Sequence, residues 1–407
     1  MLHSTTLEQQ YKQTTEDNLR ILIVGAGIAG ITAAQMLRKD GRHPVLIERN
    51  RDNSHPGYML ALMPMVDAVL DDLAVRGLYR DKSVALDRFS FHTHKGKLIR
   101  EDSMTELLNR YGDYRGVARG ELLDVLTSNG CHVSFDTQVV SMGDSPDTTL
   151  VTLKTGNTSC KLEFDAVIVA DGLHSSTRDI LLGAREVDVV DTKWGGWVVW
   201  APEDANMDLG EELWGAGFFL GIYPVKGRLG VFLGGAREHT KVGPARFAKY
   251  VHEKLTTVTT RMESCLESLA QTADPYYWSL SDCRSPQWAL GRKVLLGDAA
   301  AGFLPTAGIG AGMAMESAWV LTRMLRYAKK KNVIALLDAY EKSQRPRVEA
   351  AQKTSRELAG MMFHQSGILA MVRDLLMRVV SVKIALRPIQ KLLVNKPDPD
   401  TIAGKVV

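Results

Sequence analysis

The six residues Gly25-Ala26-Gly27-Ile28-Ala29-Gly30 follow directly on the apolar run Ile21-Leu22-Ile23-Val24, an order suited to gripping a pyrophosphate. Gly25 permits a tight turn, Gly27 removes a side chain that would block the phosphates, and Gly30 lets helix and strand pack closely. A helix beginning there offers free N–H groups and a partial positive charge to an anion. A second run, Pro44-Val45-Leu46-Ile47, ends at Glu48, where a carboxylate can accept hydrogen bonds from a ribose. Strand, glycines, helix and carboxylate in this order predict a dinucleotide site.

Two later stretches carry compatible chemistry. Asp171-Gly172 follows Ala166 to Ala170, an uninterrupted apolar run that suits a parallel strand buried on both faces. Asp298 follows Lys293-Val-Leu-Leu-Gly297, and a carboxylate there can accept hydrogen bonds from a polyol. Pro305 bends the chain without offering a donor. Gly308-Ile309-Gly310-Ala311-Gly312 then lets the backbone touch a flat ring and opens a helix, expected over about Gly310 to Lys329. Oriented N–H dipoles at that helix start can stabilise negative charge on the ring.

These residues need a scaffold, and the pattern supplies one. The first βαβ unit spans about Ile21 to Glu48. Leu60 to Leu78 reads as a helix, Arg88 to Ile99 as a hairpin turning at Lys95-Gly96, and Arg119 to Leu126 as a helix. Further strands are expected over Cys131 to Val140 and Val151 to Phe164. From Trp194 to Leu233 short aromatic strands alternate with glycine turns, which predicts an antiparallel sheet inserted as a second domain. Helices follow around 244–272. Strand alternation puts Trp197 and Val199 on one side, opposite Val198 and Trp200.

At 407 residues the chain is long for one core, and two associated domains are expected. With 45% hydrophobic and 24% charged residues and a net charge of +3, the composition gives no reason to expect a nucleic-acid partner. The four cysteines are scattered, which fits reduced thiols in a cytoplasmic protein and no metal site. Residues 1–19 read as a loose polar tail, and no run reaches 18 uncharged apolar residues. Ile368 to Leu386 is strongly apolar with interspersed Arg373, Arg378 and Lys383. Packing over the inserted sheet is the favoured reading, membrane-surface contact the minor one. Pro388 is expected to end that helix, and Pro397 and Pro399 to mark a loose terminus.

Taken in order, GAGIAG at 25–30, ADGLHSSTR at 170–178 and GDAAAGFLPTAGIGAG at 297–312 resemble the single-component, p-hydroxybenzoate hydroxylase-like flavoprotein monooxygenases. The likeness runs from about residue 20 to 356. It implies an α/β fold, a Rossmann-type FAD-binding domain with an inserted sheet-based substrate domain and a C-terminal helix. The FAD-binding parts would be 20–82, 113–182 and 285–356, the substrate parts 83–112 and 183–284, and the helical tail 357–407. Gly25, Gly27, Ala29 and Gly30 would cradle the FAD pyrophosphate, with Glu48 on the adenosine ribose and Arg49 completing a Glu-Arg pair. Arg119 would reach back to the flavin, Asp171-Gly172 would serve FAD and NAD(P)H, and Arg178 closes that motif. Asp298 would bind the ribityl chain, with Pro305, Gly308, Gly310, Ala311 and Gly312 beside the ring. Many relatives carry His, Gln and Asn where Ala301, Ile309 and Gly312 stand here, so those side chains are lost to the site.

The resemblance implies non-covalent FAD, reduced by NADPH or NADH, with O2 activated as a flavin C4a-hydroperoxide. One oxygen atom would pass to a hydrophobic, aromatic or polyketide-like small molecule. Trp197, Phe219, Tyr223 and Pro305 are candidates for the substrate pocket. No catalytic side chain is assigned; His92, His94 and Tyr223 are possible proton handlers. The chain is expected to act as a monomer or dimer. An FAD oxidoreductase without oxygen insertion and a non-catalytic FAD-binding protein are the alternatives. Trp197-Val-Val-Trp200-Ala-Pro202 departs from the Trp-x-Trp-x-Ile-Pro stretch of flavin halogenases, which argues against that activity.

Overall fold

The computed structural model describes residues 1–51, 57–183, 185–380 and 382–406. Its first residues correct the expectation of a loose tail. Leu2–Ser4 pairs in parallel with Cys131–Val133, and the helix Leu7–Gln13 opens on a reciprocal Thr6/Gln9 capping box. The Gln10 amide donates to the Leu46 carbonyl at 3.2 Å and accepts from its N–H at 2.9 Å. The polar composition thus conceals side chains that are used in docking.

β1 (Ile21–Val24), α1 (Ile28–Lys39) and β2 (Val45–Ile47) form the first unit. β3 (Met59–Leu62) lies where a helix was expected from Leu60. Pro64 follows it, and α-helix begins only at Asp67, because a proline is tolerated in a first turn and not in a helix interior. β4 (Arg88–His92) and β5 (Leu98–Ser103) form the expected hairpin, and β6 (Arg115–Ala118) leads into α2 (Arg119–Leu126). Thr137–Asp144, Thr149–Thr155 and Thr158–Phe164 make a separate antiparallel sheet. β7 (Ala166–Val169) then precedes α3 (Ser176–Leu182).

β8 (Asp188–Pro202), β9 (Leu209–Trp214), β10 (Phe218–Val225) and β11 (Arg228–Ala236) carry the aromatic segment. They are followed by α4 (Pro244–Lys254), α5 (Thr260–Gln271), β12 (Tyr276–Arg284) and β13 (Lys293–Leu295). α6 (Gly310–Leu325) and the long α7 (Val333–Met362) come next, then α8 (Gly367–Val379), α9 (Arg387–Val394) and α10 (Pro399–Gly404). Pro388 and Pro399 sit in the first turns of α9 and α10. They open helices instead of ending one, since the missing N–H has no partner to lose there.

Two sheets organise the molecule. In the first, β13, β7, β1 and β2 are parallel neighbours in that order, with Ala289–Leu290 antiparallel on the outer edge. Every residue of β1 and β7 is buried, as continuous apolar runs require in a sheet covered on both faces. The second sheet runs β12-β8-β11-β10-β9-β4-β5. All its pairs are antiparallel except β9 with β4, an exception possible because those two strands are distant in sequence and joined by no hairpin. One face packs on α4 and α5 through Phe218, Leu220, Val231, Phe247 and Met262. The other gathers Trp194, Val198, Trp214, Phe219 and Phe232 with Leu304 and Met362. Each fully buried side chain of this size contributes about 1.5–3 kcal/mol.

Candidate functional site

The parallel register brings the three glycine-bearing stretches to one edge. Val169 is level with Val24 on one side and with Leu295 on the other, so Gly25, Ala170 and Leu296 leave the sheet together. The contacts are close: a Cβ on Gly25 would lie 2.5 Å from the Ala170 carbonyl oxygen, and one on Gly297 would lie 2.8 Å from Ala29 Cβ. Gly25 also has φ +101°, a region open mainly to glycine. Gly30 sits against the turn, where a Cβ would be 1.9 Å from the Gly25 oxygen.

Gly27 differs from all three. It is the N-cap of α1, no side chain caps that helix, and a Cβ on it would meet nothing within 4 Å. The first-turn N–H groups thus face open space with a positive helix end behind them. Glu48, at the end of β2, is half-buried and accepts from the Ala26 N–H at 2.8 Å; Arg49 is exposed. The other Glu48 oxygen accepts from the Asn50 N–H at 2.9 Å, so a ribose would use the second lone pair of each oxygen, and the uncapped helix start beside it suits a pyrophosphate.

Asp298 opens the turn after β13. Its side chain is accessible to solvent yet crowded by protein, a combination found in a cleft, and desolvation pushes its carboxyl up to about 6. Tyr58, which the sequence reading missed, lies against Arg119 and within electrostatic reach of Asp298. The Arg119 N–H donates to the Tyr58 carbonyl at 2.8 Å and its guanidinium lies 6.0 Å from the Tyr58 ring. Burial raises the Tyr58 phenol, Arg119 lowers it, and Asp298 raises it again. No spacing rule marks a tyrosine just before a strand.

Asp171 serves its own loop. Its carboxylate accepts from the Ser175 hydroxyl and from the Thr177 N–H, and Gly172 makes the turn at φ +88°. Pro305 starts a short 3-10 turn that ends at Gly308 in the left-handed region. Added Cβ atoms at Gly310 and Gly312 would meet Phe303 at 3.0 Å and Met65 at 2.8 Å, so these glycines serve helix packing. Ala311 is half-buried, while Ile309 and Ala301 are buried.

On the aromatic sheet, alternation places Trp197 and Val199 against α4 and α5. Trp197 packs 5.8 Å from Phe247 and 5.3 Å from Tyr277, which corrects its assignment to the substrate side. Phe219 faces the opposite way, with Phe232 at 5.9 Å and Leu304, the neighbour of Pro305, in the same cluster. Tyr223 belongs to a polar group that the sequence did not reveal. Its hydroxyl donates to Glu212 Oε1 at 2.6 Å, and Trp214 Nε1 donates to Glu212 Oε2 at 2.7 Å. Burial raises the Glu212 carboxyl, and the two hydrogen bonds pull it partly back. His92 and His94 have structural partners: His92 Nδ1 lies 3.1 Å from the Gly96 carbonyl, and His94 Nδ1 lies 2.6 Å from Asp374.

The FAD binding domain family model matches residues 18–355. The chain is 27% identical over 376 residues to 3-hydroxybenzoate 6-hydroxylase 1 of Aquipseudomonas alcaligenes, covering 88% of this chain and 93% of that protein. It is 27% identical over 388 residues to 2-heptyl-3-hydroxy-4(1H)-quinolone synthase of Pseudomonas aeruginosa, covering 89% and 94%. Its fold is similar to that of Klebsiella pneumoniae HpxO, solved with FAD and uric acid, with a TM-score of 0.81 at 21% identity over 95% of this chain and 99% of that one.

Proposed function

Because this chain belongs to the FAD binding domain family of flavin-dependent aromatic hydroxylases, we propose that it takes electrons from NADPH or NADH and inserts one oxygen atom from O2 into a hydrophobic aromatic molecule. FAD, when bound, supplies the redox and oxygen chemistry. The observation that carries the reading is the shared edge where Gly25, Asp171 and Asp298 leave parallel strands beside the uncapped start of α1. Gly25, Gly27, Ala29 and Gly30 hold the pyrophosphate, Glu48 and Arg49 the adenosine end, and Asp298 the ribityl hydroxyls. Arg119 and Tyr58 flank Asp298, Asp171, Gly172, Pro305 and Gly308 shape the loops around the ring, and Gly310, Ala311 and Gly312 let the start of α6 pack close behind it.

Residues 20–82, 113–182 and 285–356 form the cofactor side, residues 83–112 and 183–284 the substrate side, and 357–407 the covering tail. Phe219, Phe232 and Trp214 give the substrate an apolar wall that excludes water. Glu212, which accepts from the Tyr223 hydroxyl and the Trp214 indole as a carboxylate, is the base beside that wall that takes up a proton from a phenol or an N–H group and becomes the neutral acid. A relative named for an alkylquinolone and one named for a hydroxybenzoate support an aromatic ring bearing such a group. The test is direct. The purified protein should carry flavin absorbance, oxidise NADPH or NADH, and consume O2 faster with alkylated phenols or quinolones. A protein that binds FAD but shows neither nucleotide oxidation nor O2 uptake with such compounds refutes the oxygenation reading.

A further inference from the structure

Helix α8 presents its faces in the reverse of the usual order. Its inward side holds Ala370, Arg373 and Asp374, all buried. The polar pair there is consumed in docking: Asp374 accepts from the His94 N–H at 2.8 Å and lies 2.6 Å from His94 Nδ1, while Arg373 donates to the Trp214 carbonyl. Its outward side holds Ile368, Met371, Val372, Leu375, Leu376 and Val379, which cover an arc of about 140° at 100° per residue. Ile368 is 72% exposed and Val379 81%. Among the described residues, 11 of the 21 exposed large apolar side chains lie between Met361 and Val394. Such clustering marks a contact surface, since isolated exposed apolar residues are ordinary.

The surrounding charge selects the occupant. Between Ser366 and Lys396 the sole acidic residue is Asp374, and it is buried against His94. Arg378, Lys383, Arg387, Lys391 and Lys396 are all exposed. A second copy docking through the same face would bring these cations together, whereas anionic lipid headgroups neutralise them. No helix of the described residues is long and apolar enough to cross a membrane. We propose that α8 lies in the surface of an anionic bilayer, apolar side chains among the acyl chains and the basic flank against the headgroups. This seat adjoins the aromatic cluster. Phe363, just before α8, stacks on Trp194 at 4.7 Å, and the Gly217 N–H donates to the His364 carbonyl at 2.7 Å.

The test is co-sedimentation of the full chain with phosphatidylcholine vesicles, with and without phosphatidylglycerol, at low and high salt. Binding should require phosphatidylglycerol, weaken with salt, and fall about tenfold or more in the Leu375→Glu/Val379→Glu variant. Arg378→Glu/Lys383→Glu should lose the preference for the anionic lipid. Circular dichroism and flavin absorbance should stay unchanged in both, because none of the four side chains is buried. Two results overturn the proposal: wild-type protein left in the supernatant with both vesicles, or a wild-type dimer by light scattering that Leu375→Glu/Val379→Glu converts to monomer. Neither readout depends on the oxygenation chemistry.

Discussion

Replacing glycines 25–30 one at a time should separate folding from cofactor binding. At Gly30 an added Cβ would lie 1.9 Å from a backbone oxygen of the neighbouring turn, and backbone cannot rotate aside as a flexible side chain can. Gly30→Ala should therefore cost about 1–3 kcal/mol or more in the apoprotein. At Gly27 the same methyl would meet no protein atom within 4 Å, and the backbone there is extended at φ −80°. Gly27→Ala should cost only about 1 kcal/mol or less, the difference between glycine and alanine as N-caps. In the holoprotein the order reverses. A methyl in the phosphate seat displaces about two charge-assisted hydrogen bonds worth about 1.5–3 kcal/mol each. FAD affinity should then drop about 10²- to 10⁴-fold. Urea unfolding of the apoproteins measures the first effect, and a flavin-fluorescence titration the second. Unchanged FAD affinity in Gly27→Ala would refute the placement of the pyrophosphate at the start of α1.

The Asp298 carboxyl, raised from 3.8 to about 6, should give FAD binding a pH dependence. The apoprotein holds that proton below pH 6, so affinity should tighten with pH up to about 6 and level off above it. Apoprotein stability should move the other way, falling as pH rises from about 4 to 6, because the folded carboxyl binds more protons than the unfolded one there; Asp298→Asn should flatten both curves. Glu316 accepts two hydrogen bonds from Arg347, at 2.7 and 2.9 Å, and Arg347 also donates to the Leu392 and Asn395 carbonyls. Glu316→Ala strands that guanidinium and should cost about 3–5 kcal/mol by urea unfolding, whereas Glu316→Leu/Arg347→Met should be near neutral. Glu212→Leu leaves the Tyr223 hydroxyl and Trp214 indole without their acceptor and should lower the melting temperature. Glu212→Gln should keep the fold and move the acid limb of the pH–rate profile; an unmoved limb would remove Glu212 from proton handling.

The parallel sheet was legible because its signals are local. A β-branched run followed by glycines fixes strand, turn and helix within ten or so residues, and parallel pairing then aligns the ends of β1, β7 and β13. The inserted sheet depends on distant packing. Alternation correctly separated Trp197 from Val198, but which side faces Leu304 is decided by where α4 and α5 land. Tyr58 had no spacing to announce it, and nothing in the sequence marks Glu212 as the shared acceptor of Tyr223 and Trp214. Residues 1–19 were hidden by composition, since Gln10 completes the bonding of Leu46 with polar atoms that read as solvent-facing. Pro388 misled for a related reason: the ring that ends one helix is equally suited to begin the next.

The second glycine-bearing stretch acts mainly as a brace for the other two. Both Asp171 oxygens are engaged by Ser175 and Thr177 within its own loop, which leaves little capacity for a ligand. Arg178 then carries the loop outward: its buried guanidinium donates to the Leu173 carbonyl at 3.1 Å, to Cys283 Sγ at 3.2 Å and to the Ala299 carbonyl at 3.4 Å. Ala299 follows Asp298 directly, and Cys283 lies in β12, the edge strand of the aromatic sheet. One side chain therefore ties the turn bearing Asp298 to the aromatic sheet. Meanwhile the Ala170 carbonyl stands where only a glycine at position 25 can pass. The motif braces the Asp298 turn on one side and the Gly25 turn on the other. A positioning role of this kind needs Asp171 and Arg178 to be rigid more than it needs either to touch FAD.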